Sequence, residues 1–336
     1  MQLLWLGTSL RIEVDLAKLF LSGKIGWNEF YVASHPYTSM SVITAAYCII
    51  VFISCYAGPK KFDFTLTDKI WPFVTLFSLS YYAVHNYVTD TVPIRLLVVF
   101  PALLLWSYHL TKTFADRGGF RGIDDHRWIA AKSSMNNHPV RLFVFSIFYV
   151  TLFQPMLLVN NASPGIYIAA AGSTPMGSSD WMLAMAIYAV VLAEYFIDEL
   201  YQQDFQIAKR TYQATGIIKK PYMKAQIERG FCTRGPFAYS RHPNVVFEQL
   251  IWYMLYLWGA TCSGCPLNWT LIAPLAFTAL CLGSFDLTEK ISAKKYPAYE
   301  EYQQKVGFMI PIPGRVWVEP LIVDKKIVKS EAFTTQ

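Results

Sequence analysis

The chain is predicted to be an all-α, polytopic membrane bundle of about seven transmembrane helices with its C-terminus in the cytosol. That expectation rests on composition, on segment length and on where the charges fall. Of 336 residues, 54% are hydrophobic and only 15% charged, against about 25% charged in average soluble domains. The surplus apolar surface must face lipid. The 23 Phe, 21 Tyr and 10 Trp exclude a disordered chain, and 18 Gly with 18 Pro exclude a collagen-like one. Six Cys are too few for a disulfide-built fold.

In chain order, residues 1–39 form an N-terminal segment without the charged start, apolar core and small-residue cleavage site of a signal peptide. Within it, 10–21 (LRIEVDLAKLFL) reads as a short amphipathic helix lying at the membrane surface. Seven stretches then have the length that a bilayer asks of a helix, roughly 17–25 residues. They are 40–58, 71–88, 94–110, 142–160, 181–197, 245–262 and 267–285. Gly58-Pro59 and the string NNASPG at 160–165 punctuate them as loops. The membrane domain therefore runs over 40–313, and 314–336 is a cytosolic tail.

Charge placement supports the alternation. Seven alternating helices put loops 59–70, 111–141 and 198–244 and the chain from 286 on one side, with 25 of the 29 Lys and Arg. The opposite side holds only Arg11, Lys18 and Lys24, and Arg95 opens the third span. The positive-inside rule makes the basic side cytosolic. The net charge of +6 is then a topology signal, and no nucleic-acid partner is expected.

Ionisable groups inside spans are costly and face a cavity, a partner or water. Glu194 and Asp198 lie four apart on one helix face, and Asn244 and Glu248 repeat that spacing one span later. Asp286 and Glu289 sit where the seventh span ends. All three sets fall at one depth, beside loops carrying Arg229, Arg234 and Arg241. Carboxylates bind sugar hydroxyls and arginines bind phosphates in bidentate fashion, so the combination suits a nucleotide. In the second span, His85 and Asn86 could bind a buried substrate carbonyl or simply join helices. Cys262 and Cys265 form a lone CxxC without a second ligand pair, so no metal site is expected.

The string GPFAYSRHPNVVFE at 235–248, with DLTEKISAKKYPAYEEYQQKVGFMIP at 286–311, resembles the steroid 5-alpha-reductase C-terminal-domain family, closest to its uncharacterised branch. The sterol reductases carry an RHPNYxGD segment similar to Arg241-His242-Pro243-Asn244 followed by Glu248. Upstream, Asp68 with Trp71 looks like the family's D-x-x-W, and FADRGGFRGIDDHRW at 114–128 looks like its Arg-Gly-Gly loop. The resemblance covers roughly 66–313, with the reductase-like half at about 181–313. Isoprenylcysteine and phospholipid methyltransferases share an RHP segment and an acidic, Tyr-rich tail. This chain departs from the family pattern at Val245, Phe247 and His109.

The resemblance implies an endoplasmic-reticulum membrane enzyme, if the source is eukaryotic, that uses NADPH to reduce a carbon–carbon double bond in an apolar, sterol- or steroid-like lipid. It implies cofactor contacts at Asp198, Asn244, Glu248 and Glu194, with Arg241, Arg117 and Arg127 toward the phosphates. His242, Tyr239 and Tyr302 are further candidates for the nucleotide. The group that stabilises charge on a substrate oxygen is assigned to His85 or Tyr82. Two alternatives stay open at this point, an S-adenosylmethionine-dependent methyltransferase and a lipid- or sterol-binding protein without catalysis.

Overall fold

The computed structural model describes residues 2–58, 61–121, 125–319, 322–323 and 326–327. Pro59, Asp124 and most of the expected tail 314–336 lie outside the described residues. Among the described residues the regular structure is helical apart from an antiparallel pair, Ile322–Val323 with Lys326–Ile327, and a single parallel bridge of Ser240 with Gly307. The helices are α1 Gln2–Leu21, α2 Trp27–Ala33, α3 Pro36–Ala57, α4 Thr65–Thr89, α5 Ile94–Asp116, α6 His126–Ser134, α7 Pro139–Phe145 and α8 Gln154–Asn161. Then come α9 Gly165–Ala170, α10 Ser178–Ile197, α11 Asp204–Thr215, α12 Lys224–Arg229, α13 Pro243–Ser263, α14 Ile272–Lys295 and α15 Tyr299–Lys305. Two π-helical stretches, Ser146–Phe153 and Asp198–Gln203, join α7 to α8 and α10 to α11.

Among the described residues, five helices are long and apolar enough to cross a membrane: Pro36–Ala57, Ile94–Asp116, Pro139–Ser173, Ser178–Thr215 and Trp269–Lys295. The expected spans at 71–88 and 245–262 are helical, within α4 and α13, but fall outside this set. The reason is visible in α4, whose polar groups point inward. Thr75, Ser78, Tyr82, His85 and Asn86 are buried, while Phe73, Phe77, Val84 and Val88 are exposed. A helix of this kind carries its polar residues as a packed interior stripe and its apolar ones outside, so its average hydropathy understates its apolar outer face. In α13 the Glu248-Gln249 pair and four Trp or Tyr residues have the same lowering effect.

The chain divides into two units, Met1–Ala189 with Ile251–Ala279 and Val190–Leu250 with Leu280–Gln336. In the first, Arg95 explains its isolation in the sequence. Its guanidinium forms a bidentate pair with Asp180, Nε and Nη2 each at 2.9 Å, and reaches the carbonyls of Thr174 at 3.0 Å and Pro175 at 3.1 Å. Asp180 also accepts from Trp258 Nε1 at 2.7 Å and from the Gly177 amide at 2.9 Å. Both charges are buried and saturated with hydrogen bonds, the condition under which a buried pair holds. In the same unit, Trp128 Nε1 donates to Asp68 at 2.5 Å, tying α6 to the first turn of α4. Burial pushes the Asp68 carboxyl above its usual range, although Arg127 and the Trp128 hydrogen bond oppose the rise.

The second unit packs two apolar groups. One gathers Phe205, Met223, Ile227 and Phe237 around α11 and α12. The other gathers Phe231, Tyr299, Tyr302, Val306 and Trp317 around α15. Gly235 is required at the turn between them. Its φ is +59°, and an added Cβ would stand 2.1 Å from the Tyr201 ring.

Candidate functional site

The candidate site lies in the second unit and begins where α10 gives way to its π-helical continuation. Glu194 occupies the last turn of α10, and Asp198 is the first π-helical residue. A π-helical turn widens the backbone and is frequent at functional sites. Glu194 is 4% and Asp198 6% exposed. On α13, Asn244 follows the initiating proline and Glu248 stands one turn on, both half-buried. Asn244 Nδ2 donates to Asp198 Oδ1 at 3.4 Å, and Glu194 faces both Glu248 and Asp198 closely enough for their charges to repel. The four residues paired by spacing in the sequence are thus brought together. Three carboxylates and an amide in apolar helices call for hydrogen-bond donors or a cation.

The other expected nucleotide contacts are placed differently. Arg241 and Glu289 form a bidentate pair, Nε at 2.6 Å and Nη2 at 2.9 Å, with side chains only 9% and 7% exposed. Arg241 Nη1 also caps the end of α15, bonding the Val306 carbonyl and, at 3.0 Å, that of Gln303. Four of the five N–H donors of a guanidinium are thereby engaged inside the protein. His242 Nε2 meets Glu289 Oε1 at 2.9 Å, and Gln303 Nε2 donates to Oε2 at 2.9 Å. The sequence-based expectation of Arg241 and His242 as phosphate contacts thus meets a buried anchor joining α13, α14 and α15.

Tyr302 is likewise buried, donating to the Phe237 carbonyl at 2.5 Å, with its ring against Phe231 and Trp317. Tyr239 is 54% exposed. Asp286 pairs with Lys290 at the surface, so the expected third acidic set splits between solvent and the anchor. Arg229 holds Glu319 at 2.7 and 2.9 Å while Thr233 bonds the same carboxylate, which fixes the chain after α15. Burial raises the Glu319 carboxyl, and those hydrogen bonds from Arg229 and Thr233 more than reverse it, leaving it below its usual range.

Sequence reasoning gave Arg234 no individual role. Its guanidinium stacks between Tyr201 at 5.2 Å and Tyr222 at 5.0 Å, and Nη2 donates to the Leu200 carbonyl of the π-helical stretch at 2.6 Å. Its nearest carboxylate, Asp204, is 3.5 Å away, and the side chain is 30% exposed. It is therefore a partly exposed cation, ion-paired with Asp204 and hydrogen-bonded to the segment that carries Asp198. No sequence signal singled it out, because the stacking rings Tyr201 and Tyr222 lie far from it along the chain.

The remaining candidates belong to the first unit. Arg127 makes a bidentate pair with Asp125 at 2.9 and 3.1 Å, and Arg117 Nε donates to the Thr113 carbonyl at 3.2 Å. Tyr82 and His85 occupy the last turns of α4 and line a cavity of about 200 Å³. Among the described residues no group of His, Cys, Asp and Glu is arranged to hold a metal ion, and all six cysteines are free thiols.

The family described as "Protein of unknown function (DUF1295)" matches residues 59–306, which include every helix that carries a candidate residue. The chain belongs to that family. It is also similar to the uncharacterized protein C594.04c of Schizosaccharomyces pombe, with 32% identity over 313 residues, covering 91% of this chain and 88% of that protein. No solved structure matches it.

Proposed function

We propose that this DUF1295 protein is a membrane-embedded, NADPH-dependent reductase of a carbon–carbon double bond in an apolar, sterol- or steroid-like lipid. The observation that carries this reading is the convergence of Glu194, Asp198, Asn244 and Glu248 in one place, at the start of the π-helical segment whose Leu200 carbonyl accepts a hydrogen bond from Arg234. Carboxylates and an amide bind ribose hydroxyls and a carboxamide, and a partly exposed, ring-stacked arginine binds phosphate. When bound, NADPH supplies hydride. Buried Val245 and its apolar neighbours keep water from the reacting end. Tyr82 and His85 are assigned to the oxygen of the lipid. The topology belonging to this reading counts α4 and α13 as spans, seven in all, with the basic loops and the C-terminus in the cytosol and the endoplasmic reticulum as the host membrane.

A second reading has one observation in its favour. Arg241 is engaged with Glu289, so the acidic set keeps its negative character, which suits the sulfonium and ammonium of S-adenosylmethionine. A cofactor screen on detergent-purified protein separates the two. Saturable NADPH binding that falls at least tenfold in both Asn244→Ala and Asp198→Ala is the expected result. Binding of S-adenosylmethionine with no response to NADPH would establish the methyltransferase, and a bound lipid with neither nucleotide would point to a carrier.

A further inference from the structure

The helical run Ser178–Thr215 is longer than a membrane needs. Its 38 residues at 1.5 Å each extend on the order of 55 Å, against about 40–45 Å for a bilayer with its headgroups. Along the part of this run in the second unit, Leu192, Phe196, Leu200 and Ile207 are exposed, and the outward surface turns basic at exposed Arg210. That change of character places the membrane edge at the first turns of α11.

The chain after α11 returns to this level. Gly216 ends the helix in the left-handed conformation, and Ile218 turns inward to pack against the Phe205 group. Lys220 pairs with Asp204 in the first turn of α11. Arg234, between the rings of Tyr201 and Tyr222, ties the same loop to the π-helical stretch. Tyr201 and Asp204 lie between Leu200 and Ile207 along the helix, so loop 216–224 is held where the apolar line ends. Its outer surface carries Ile217 and Tyr222, each 60% exposed, beside exposed Lys219 and Lys224. Neither of these two ammonium groups is in an ion pair among the described residues.

We infer that loop 216–224 docks on anionic phospholipid in the headgroup layer. Lys219 and Lys224 meet the lipid's negative charge, and Ile217 and Tyr222 sit among the uppermost acyl carbons. Tyrosine is suited to that layer by its apolar ring and polar tip, and lysine by its apolar stem and charged head. A nucleic acid or an acidic protein would engage the lysines and leave Ile217 beside charge. A zwitterionic lipid would cover the apolar pair and bring no net charge to the lysines. The inference needs the chain to lie in a bilayer and is independent of the proposed reductase.

The test titrates the detergent-purified full chain with phosphatidylserine or phosphatidylcholine of the same acyl chains and counts bound lipid by native mass spectrometry. Each lysine at an anionic surface is worth about fivefold in affinity. Wild type is therefore expected to prefer phosphatidylserine by about tenfold or more, and the double variant Lys219→Gln, Lys224→Gln to lose most of that preference. A double variant of equal charge, Lys290→Gln, Lys294→Gln, is expected to keep it. Both change exposed side chains only and should melt within about 2 °C of wild type. The soluble headgroup glycerophosphoserine, in large excess, should not displace the lipid. Equal binding of the two lipids, a preference that survives the Lys219 and Lys224 changes, an equal loss in the Lys290 and Lys294 variant, or displacement by glycerophosphoserine (a site for free anions) would each overturn it. Failure of the nucleotide screen would leave this result unchanged.

Discussion

Replacing Arg241 by alanine separates an anchor from a ligand contact. Wild-type Glu289 accepts from Arg241 through both oxygens, from His242 and from Gln303. In Arg241→Ala it keeps the last two and loses its guanidinium, while the Gln303 and Val306 carbonyls lose their cap. Removing one partner of a buried ion pair costs about 3–5 kcal/mol, and the exposure of these side chains, 9% and 7%, places the pair in that class. For a chain of this size the cost corresponds to a fall in melting temperature of about 4–7 °C. Arg241→Lys should fall in between, because an ammonium keeps the charge without the fork. Scanning fluorimetry in detergent, paired with a nucleotide-binding isotherm at a temperature where all forms are folded, reads both quantities. An Arg241→Ala protein that melts with wild type yet loses nucleotide affinity would refute the anchor.

Two further outcomes follow from ion pairs elsewhere. Asp180→Ala strands the buried Arg95 guanidinium and unpairs Trp258 Nε1, so a loss of about 3–5 kcal/mol should appear as poor recovery of monodisperse protein, with Asp180→Asn milder. The Glu319 carboxyl is held below its usual range by Arg229 and Thr233, so its contribution is complete above the ordinary glutamate value of about 4.3 and fades as pH falls through its lower folded value. The gap in melting temperature between wild type and Glu319→Gln should therefore hold steady near neutrality and close in acid; a gap unchanged down to pH of about 3 would contradict the pair.

Much of the helical order was legible because period and length are local properties. The i, i+4 spacing of Glu194 with Asp198 and of Asn244 with Glu248 was also local, and those four residues meet. The pairing of Arg241 with Glu289 was not legible, because a phosphate-binding arginine and a carbonyl-capping one look alike until the partner is known, and Glu289 is 48 residues away. The inward polarity of α4 was hidden by averaging, since a window sums residues that face opposite ways. The π-helical stretch at Asp198–Gln203 left no trace in composition, because a shift in hydrogen-bond register keeps the residue types of an α-helix. Among the described residues the Tyr82 hydroxyl has no hydrogen-bond partner, which could not be seen in the sequence because the lack of a partner is a property of the packed molecule.

The RHPN string is cut in two by its own proline, and this bears on any test of the site. Before Pro243 a single bridge pairs Ser240 with Gly307, and the Arg241 amide donates to the Gly307 carbonyl at 2.9 Å. Proline at the first helical position needs no amide partner and presets the backbone for a helix. Asn244 and Glu248 therefore fall one turn apart on the same face of α13, whereas Arg241 and His242 are held by Glu289. Substitutions on either side of Pro243 should thus differ in kind. Those at Arg241 should act through the fold and lower the melting temperature, whereas Asn244→Ala removes one hydrogen bond of 3.4 Å and, on the proposed reading, should weaken the nucleotide. A nucleotide defect at Arg241 that follows the unfolded fraction, beside one at Asn244 that does not, is the pattern this division requires.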